Sequence, residues 1–195
     1  MRSAGLERNT KETEIRMNLE LDGSGTGEID TGVGFLDHML TLLVKNAGFD
    51  MTVYGKGDTY VDDHHTVEDT GIVFGEVFKK ALGDKRGIKR YGDRIIPMDE
   101  ALALVAIDIS GRDFVSYEVD GLKEKVGTFD TELAEEFVRG FARAAGITIH
   151  VKKLAGENSH HILEAVFKAI GRALRDAVEI DDRTEGEIPS TKGVL

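Results

Sequence analysis

The chain has 195 residues, a net charge of −11 from 36 acidic against 25 basic side chains, and no cysteine. That balance argues against a nucleic-acid surface, which needs clustered cations, and the missing thiols exclude disulfides, thiolate zinc sites and cysteine nucleophiles. No apolar run approaches the ~18 residues of a membrane span and the N-terminus carries no signal-peptide pattern, so one globular, cytoplasmic domain is expected.

Ile15, Met17, Leu19 and Leu21 alternate within 14–22 and predict a half-buried strand. Gly23, Gly25 and Gly27 turn it into a short return strand over 28–31. Leu36, Met39, Leu40 and Leu43 are spaced as a helix over 35–47, which Gly48 stops. Residues 51–54 read as a strand, 55–59 as a glycine-rich loop, and a second helix runs on to about Gly83. The basic, turn-rich stretch 85–92 is the expected boundary between halves of about 1–88 and 89–195. The order then repeats: strands over 101–109 and 114–119, a helix over 131–145 stopped by Gly146, a strand over 147–151, a loop over 155–158 and a helix over 160–178. Gly48 to Val53 lies over Gly146 to Val151 at an offset of 98, and Gly75 over Gly171 at 96. The fold class is therefore α+β, an internal duplication of strand-strand-helix-strand-helix halves. Neither half can bury both faces of its sheet, so the halves are expected to pack helix layer against helix layer. The same packing is expected to bring the two longer helices together at a pseudo-twofold axis.

Both longer helices open on the same motif. Asp62-Asp63-His64-His65-Thr66-Val67-Glu68-Asp69 returns as Ser159-His160-His161-Ile162-Leu163-Glu164 and holds four of the six histidines. On a helix His64 and Glu68 share a face, as do His160 and Glu164, while His65 and His161 point about 100° away. A single copy is compatible with an exposed helix start, but helix solvation gives no reason to repeat it in register. The expectation is two metal ions, each held by the His-x3-Glu pair of one copy and the second histidine of the other. The repeat also overlays His38 on Glu136, each on the preceding helix, and adds both as ligands. Nitrogen and oxygen donors without sulfur suit six-coordinate Mn²⁺ or Fe²⁺ better than a closed zinc site. His150 overlays Thr52 in an alternating strand and is read as structural.

These motifs resemble the imidazoleglycerol-phosphate dehydratase family. The likeness runs through Arg8 to Thr13, Gly34 to Met39, Asp62 to Asp69, Arg90 to Asp93, Pro97 to Ala101, Ser110 to Arg112, Gly156 to Glu164 and Ile188 to Gly193. The resemblance implies a four-layer sandwich with the helices between two sheets. It implies a lyase of histidine biosynthesis that dehydrates imidazole-glycerol phosphate to imidazole-acetol phosphate, using two Mn²⁺ per active site that bind the imidazole or imidazolate. It further implies a homo-oligomer of 24 subunits whose metal sites are completed between subunits. Carried over by position, Glu12 becomes a proton-transfer residue, with Glu68 and Glu164 also catalytic and Asp99 a further candidate in that network. The same carry-over makes Arg90, Arg112, Lys168, Ser190 and Lys192 contacts to the phosphate and substrate, joined by Glu12, His38, His64 and His160. This sequence departs from the family at Glu136, where the family often has histidine. Two other readings compete. A dinuclear Mn²⁺ phosphohydrolase would want aspartate-rich bridging ligands, and here histidine dominates. A metal-storage shell would leave Arg90, Arg112 and the tail without a role.

Overall fold

Strands with alternating apolar residues build two sheets of the same design in the computed structural model, which describes residues 1–184 and 186–195. The first contains Ser3–Asn9 (β1), Thr13–Glu20 (β2), Gly27–Asp30 (β3) and Asp50–Gly57 (β4), in the order β1-β2-β4-β3. The second half supplies Tyr91–Met98 (β5), Ala101–Asp108 (β6), Phe114–Glu118 (β7), a small hairpin of Lys125–Val126 (β8) and Phe129–Asp130 (β9), and Thr148–Ala155 (β10). Its sheet runs β5-β6-β10-β7. In both sheets the last edge strand lies parallel to its neighbour and every other pairing is antiparallel.

The expected duplication is present, and each half opens with one strand more than its apolar pattern indicates. Both extra strands, β1 and β5, are sheet edges. An edge strand need not bury a full apolar face, and β5 is exposed or half-buried everywhere except Gly92. Its Pro97 is tolerated there because an edge can dispense with one N–H.

Four helices fill the space between the sheets: Gly34–Ala47 (α1), His64–Leu82 (α2), Leu133–Ala145 (α3) and Ser159–Val178 (α4). Gly48 and Gly146 end α1 and α3 as expected, in the left-handed conformation at φ 73° and 68°. Helix α2 lies on β1 and β2, and α4 lies on β5 and β6. The helix layers then face each other across the core, where Phe74 stacks on Phe141 at 4.5 Å and Phe137 meets Phe167 at 5.5 Å. The pairing of the helices differs from the expectation. Helix α2 crosses α3 and α4 crosses α1, so each motif helix pairs with the shorter helix of the other half rather than with its own counterpart. Small residues decide this. A Cβ on Gly71 or Gly75 would sit 2.5 Å from the carbonyl oxygens of Phe137 and Phe141, so only glycine lets these backbones approach so closely. Gly171 does the same for α4 against Leu43 of α1.

Gly75→Ala should consequently lower stability by about 1–3 kcal/mol, since backbone cannot yield as a flexible side chain can. Gly34→Ala, where an added Cβ meets nothing within 4 Å, is the control. Equal unfolding midpoints in the two variants would show that the crossing tolerates a methyl group. Among the described residues no helix is long and apolar enough to cross a membrane.

Candidate active site

The crossing of α1 with α4 assembles the clearest chemical site. Asn158 caps α4 by accepting from the backbone N–H groups of His160 and His161, at 3.0 and 3.4 Å, which sets the start of the helix. One turn on, Glu164 is buried on the face that meets α1. Its Oε1 lies 2.9 Å from His38 Nε2 and 3.1 Å from His160 Nε2, and Lys168 Nζ donates to its Oε2 at 2.6 Å. Burial raises the affinity of this carboxyl for a proton, but Lys168, His38 and His160 together outweigh burial and hold its pKa at about 2. Glu164 is thus an anion between two imidazoles. Ligand atoms of His38, His160 and Glu164 all lie within 4.8 Å of one another, and this is the one such group found among the described residues. Two nitrogens and a carboxylate oxygen fit a divalent cation that accepts mixed donors.

The first half is less complete within one chain. His64 Nε2 is 3.9 Å from Glu68 Oε2, and Glu136 stands half-buried on α3 without joining a three-ligand group. The second histidines point elsewhere. His65 Nδ1 faces Asp58 at 3.1 Å, and His161 Nδ1 faces Glu100 at 2.8 Å. Neither second histidine contacts the other copy's His-x3-Glu pair in the same chain, and beside the β8–β9 hairpin the Lys123 N–H donates to Ser159 Oγ at the start of α4, at 2.8 Å. Phe129 of that hairpin packs on Phe35, which in turn contacts His160 edge-on.

Glu12 stands beside His65 for a traceable reason. Thr13 Oγ1 donates to Asp69 Oδ2 at 2.5 Å and Arg8 reaches Asp69 Oδ1 at 3.1 Å. Asp69, one residue past Glu68, thereby pins the turn between β1 and β2 onto α2. Thr10 Oγ1 accepts from the N–H groups of Glu12 and Thr13, at 3.1 and 2.9 Å, and stiffens the turn while the Glu12 side chain stays exposed. His65 binds a proton more readily than usual, chiefly through Asp58 and also through the charge of Glu12.

With this geometry in view, similarity to known proteins is decisive. A family model for imidazoleglycerol-phosphate dehydratase matches residues 31–174. The chain belongs to that family. The dehydratase of Oceanobacillus iheyensis is 55% identical over 195 residues, covering all of both chains. That of Gluconobacter oxydans is 54% identical over 194 residues, covering 100% of this chain and 98% of its own. A crystal structure of the Staphylococcus aureus dehydratase superposes with a TM-score of 0.84 at 42% identity, over 92% of this chain and 99% of that one. The Pyrococcus furiosus enzyme gives 0.84 at 41% identity, over 97% and 100%. As a member of the imidazoleglycerol-phosphate dehydratase family the chain is a hydro-lyase of histidine biosynthesis, and the family is metal-dependent.

Most residues that resemble this dehydratase family's phosphate contacts lie at the far end of the second sheet. Arg90, in the left-handed conformation at φ 71°, grips Asp108 with Nε at 2.7 Å and Nη2 at 3.1 Å, and its Nη1 donates to the Pro189 carbonyl at 3.0 Å. It therefore ties down the tail that carries Ser190 and Lys192, whose N–H donates to Ser190 Oγ at 3.2 Å. Arg112 is exposed at the corner after Gly111, near the end of that tail. Lys168 alone sits at the other end, beside Glu164. His150, exposed on β10, lies beside Phe114 with ring centres 5.6 Å apart. Asp58, Glu100 and Asp69 were not singled out from the sequence, because their roles depend on which loop meets which helix. Glu100 is the counterpart of Glu12 only through the strand pairing, since the offsets of 98 and 96 read from the sequence do not align them.

Proposed function

We propose that this chain dehydrates imidazole-glycerol phosphate to imidazole-acetol phosphate, with two Mn²⁺ ions per active site and with each active site built from more than one copy of the chain. The observation that carries the reading is the Glu164 carboxylate set between His38 and His160, in a chain of this family. By the repeat, His64, Glu68 and Glu136 would hold the second ion, and His65 and His161, each engaged at Nδ1, would offer Nε2 to ions of another copy. When bound, the ions supply Lewis-acid charge that draws electrons from the imidazole ring of the substrate and fixes its orientation. Glu12 takes the poorly acidic C–H proton and returns it to the neighbouring hydroxyl, which leaves as water as its C–O bond breaks, and the resulting enol moves its O–H proton to carbon to become the ketone. Arg90, Arg112, Ser190, Lys192 and Lys168 are assigned to the phosphate, which arginine forks suit.

The need for several copies follows from distance. Glu100, which holds His161, precedes β6, while Asp108, which holds Arg90, ends it. Eight strand residues span about 26 Å at ~3.3 Å each, farther than a small phosphorylated imidazole reaches. Metal ligands and most of the phosphate cations of one chain therefore serve different substrate molecules, and a homo-oligomer resolves this. Tyr60 and Val61, exposed just ahead of His64, suit such a contact. A cytoplasmic setting matches the absence of cysteine.

The test is reconstitution. Protein stripped by a chelator should be inactive, and Mn²⁺ should restore formation of the acetol phosphate from imidazole-glycerol phosphate. Release of inorganic phosphate in place of the ketone would turn the assignment toward a phosphohydrolase, and unchanged turnover after complete metal removal would end it.

A further inference from the structure

The two second histidines are held by carboxylates that the duplication does not relate. In the sheets, Met17 pairs with Val53 and Val105 with Val151. Val53 and Val151 are counterparts under the repeat, so Met17 corresponds to Val105, Thr13 to Ala101 and Glu12 to Glu100. Glu100, at the turn between β5 and β6, is therefore the counterpart of Glu12, yet the two side chains do different things. Glu100 Oε2 sits 2.8 Å from His161 Nδ1, whereas His65 Nδ1 has Asp58, at 3.1 and 3.2 Å from its two oxygens. Asp58 directly follows β4, and across the bulge between Lys153 and Ala155 its position falls to the exposed Glu157, whose N–H, with that of Asn158, donates to Glu100 Oε1 at 3.4 and 2.9 Å. In the second half the loop backbone thus holds the turn carboxylate, and the turn carboxylate faces the histidine. The first half has Asp58, whose N–H donates to the Glu12 carbonyl at 3.1 Å, and its turn carboxylate is left exposed beside the same histidine.

We propose that Asp58 and Glu100 are the positioning residues of His65 and His161, and that Asp58, by taking over the histidine, is what leaves Glu12 open to exchange protons with substrate. The argument rests on the metal-centre reading above. A carboxylate accepts only, so each pair places the hydrogen of the neutral imidazole on Nδ1 and leaves the Nε2 lone pair for a metal ion. One chain accordingly contributes one proton-transfer carboxylate from its two turns, and the second turn is given to ligand geometry.

The test is Mn²⁺ binding to chelator-stripped full-length protein, with free Mn²⁺ read by electron paramagnetic resonance. Asp58→Ala and Glu100→Ala should each weaken binding of part of the bound Mn²⁺ by about 10–100-fold, the loss usual for a carboxylate that orients a metal-ligating histidine. Glu100→Gln, which keeps an acceptor oxygen, should recover part of that loss. Glu12→Ala should bind Mn²⁺ as the unaltered chain does while losing turnover. Unchanged binding in Asp58→Ala and Glu100→Ala would overturn the positioning role. No recovery in Glu100→Gln would reduce Glu100 to packing and overturn it equally. Loss of Mn²⁺ in Glu12→Ala as large as in Glu100→Ala would overturn the division between the turns. Failure of the unaltered chain to bind Mn²⁺ would instead sink the metal centre itself.

Discussion

Glu164→Gln should leave a folded protein whose kcat/KM is lower by about a thousandfold, the size of several kcal/mol of lost charge stabilisation. The substitution keeps the volume and removes only the charge. Glu164 now answers two imidazole nitrogens with Oε1 and Lys168 with Oε2. A neutral amide cannot serve all three: its NH₂ would face either the lone pairs it should compete with a metal for or the Lys168 ammonium, a donor against a donor. With the side chain 9% exposed, water cannot make up the difference. Metal content should fall together with turnover, whereas a merely structural role would show as a lower unfolding midpoint with full metal occupancy. Near-normal turnover with a full metal complement would remove Glu164 from the site.

Glu12→Gln should cost turnover about 10²–10⁴-fold and leave the apparent affinity for substrate almost unchanged, the pattern of a lost proton carrier. The backbone around it is fixed by Thr10 and by the Thr13–Asp69 bond, so a glutamine would occupy the same place. What it cannot do is take and return a proton. Steady-state kinetics with the metal content measured on the same sample decides the matter. Turnover within a few-fold of normal would take Glu12 out of the chemistry, and a large rise in KM with kcat intact would make it a binding group.

These two residues were legible in different ways. The doubled motif marks Glu164 because a spacing of four on a helix puts His160 and Glu164 on one face wherever that helix lies, and the bond of 3.1 Å between them is local. Glu12 carries no such local mark, and only family resemblance pointed to it. Its neighbours come from β4 and α2, more than forty residues away in the chain. The extra opening strands escaped the apolar pattern because β1 and β5 are edges, where exposed charge is tolerated on both faces.

Periodicity, glycine stops and the repeated His-His-x-x-Glu determined by themselves the duplication, the element order after each first strand, the buried faces of the helices and the residue types of the candidate metal site. Each depends on contacts within a few residues or on comparison of one half with the other. The tertiary structure alone decided that α2 crosses α3 and α4 crosses α1, that Asp58 and Glu100 hold the second histidines, and that Arg90 with the tail lies at the opposite end of β6 from Glu100. An amphipathic stripe states that a face is buried but not against what. The partner is chosen by the fit of whole surfaces, through the close backbone approach that Gly71, Gly75 and Gly171 permit and through the phenylalanines that fill the space between the layers.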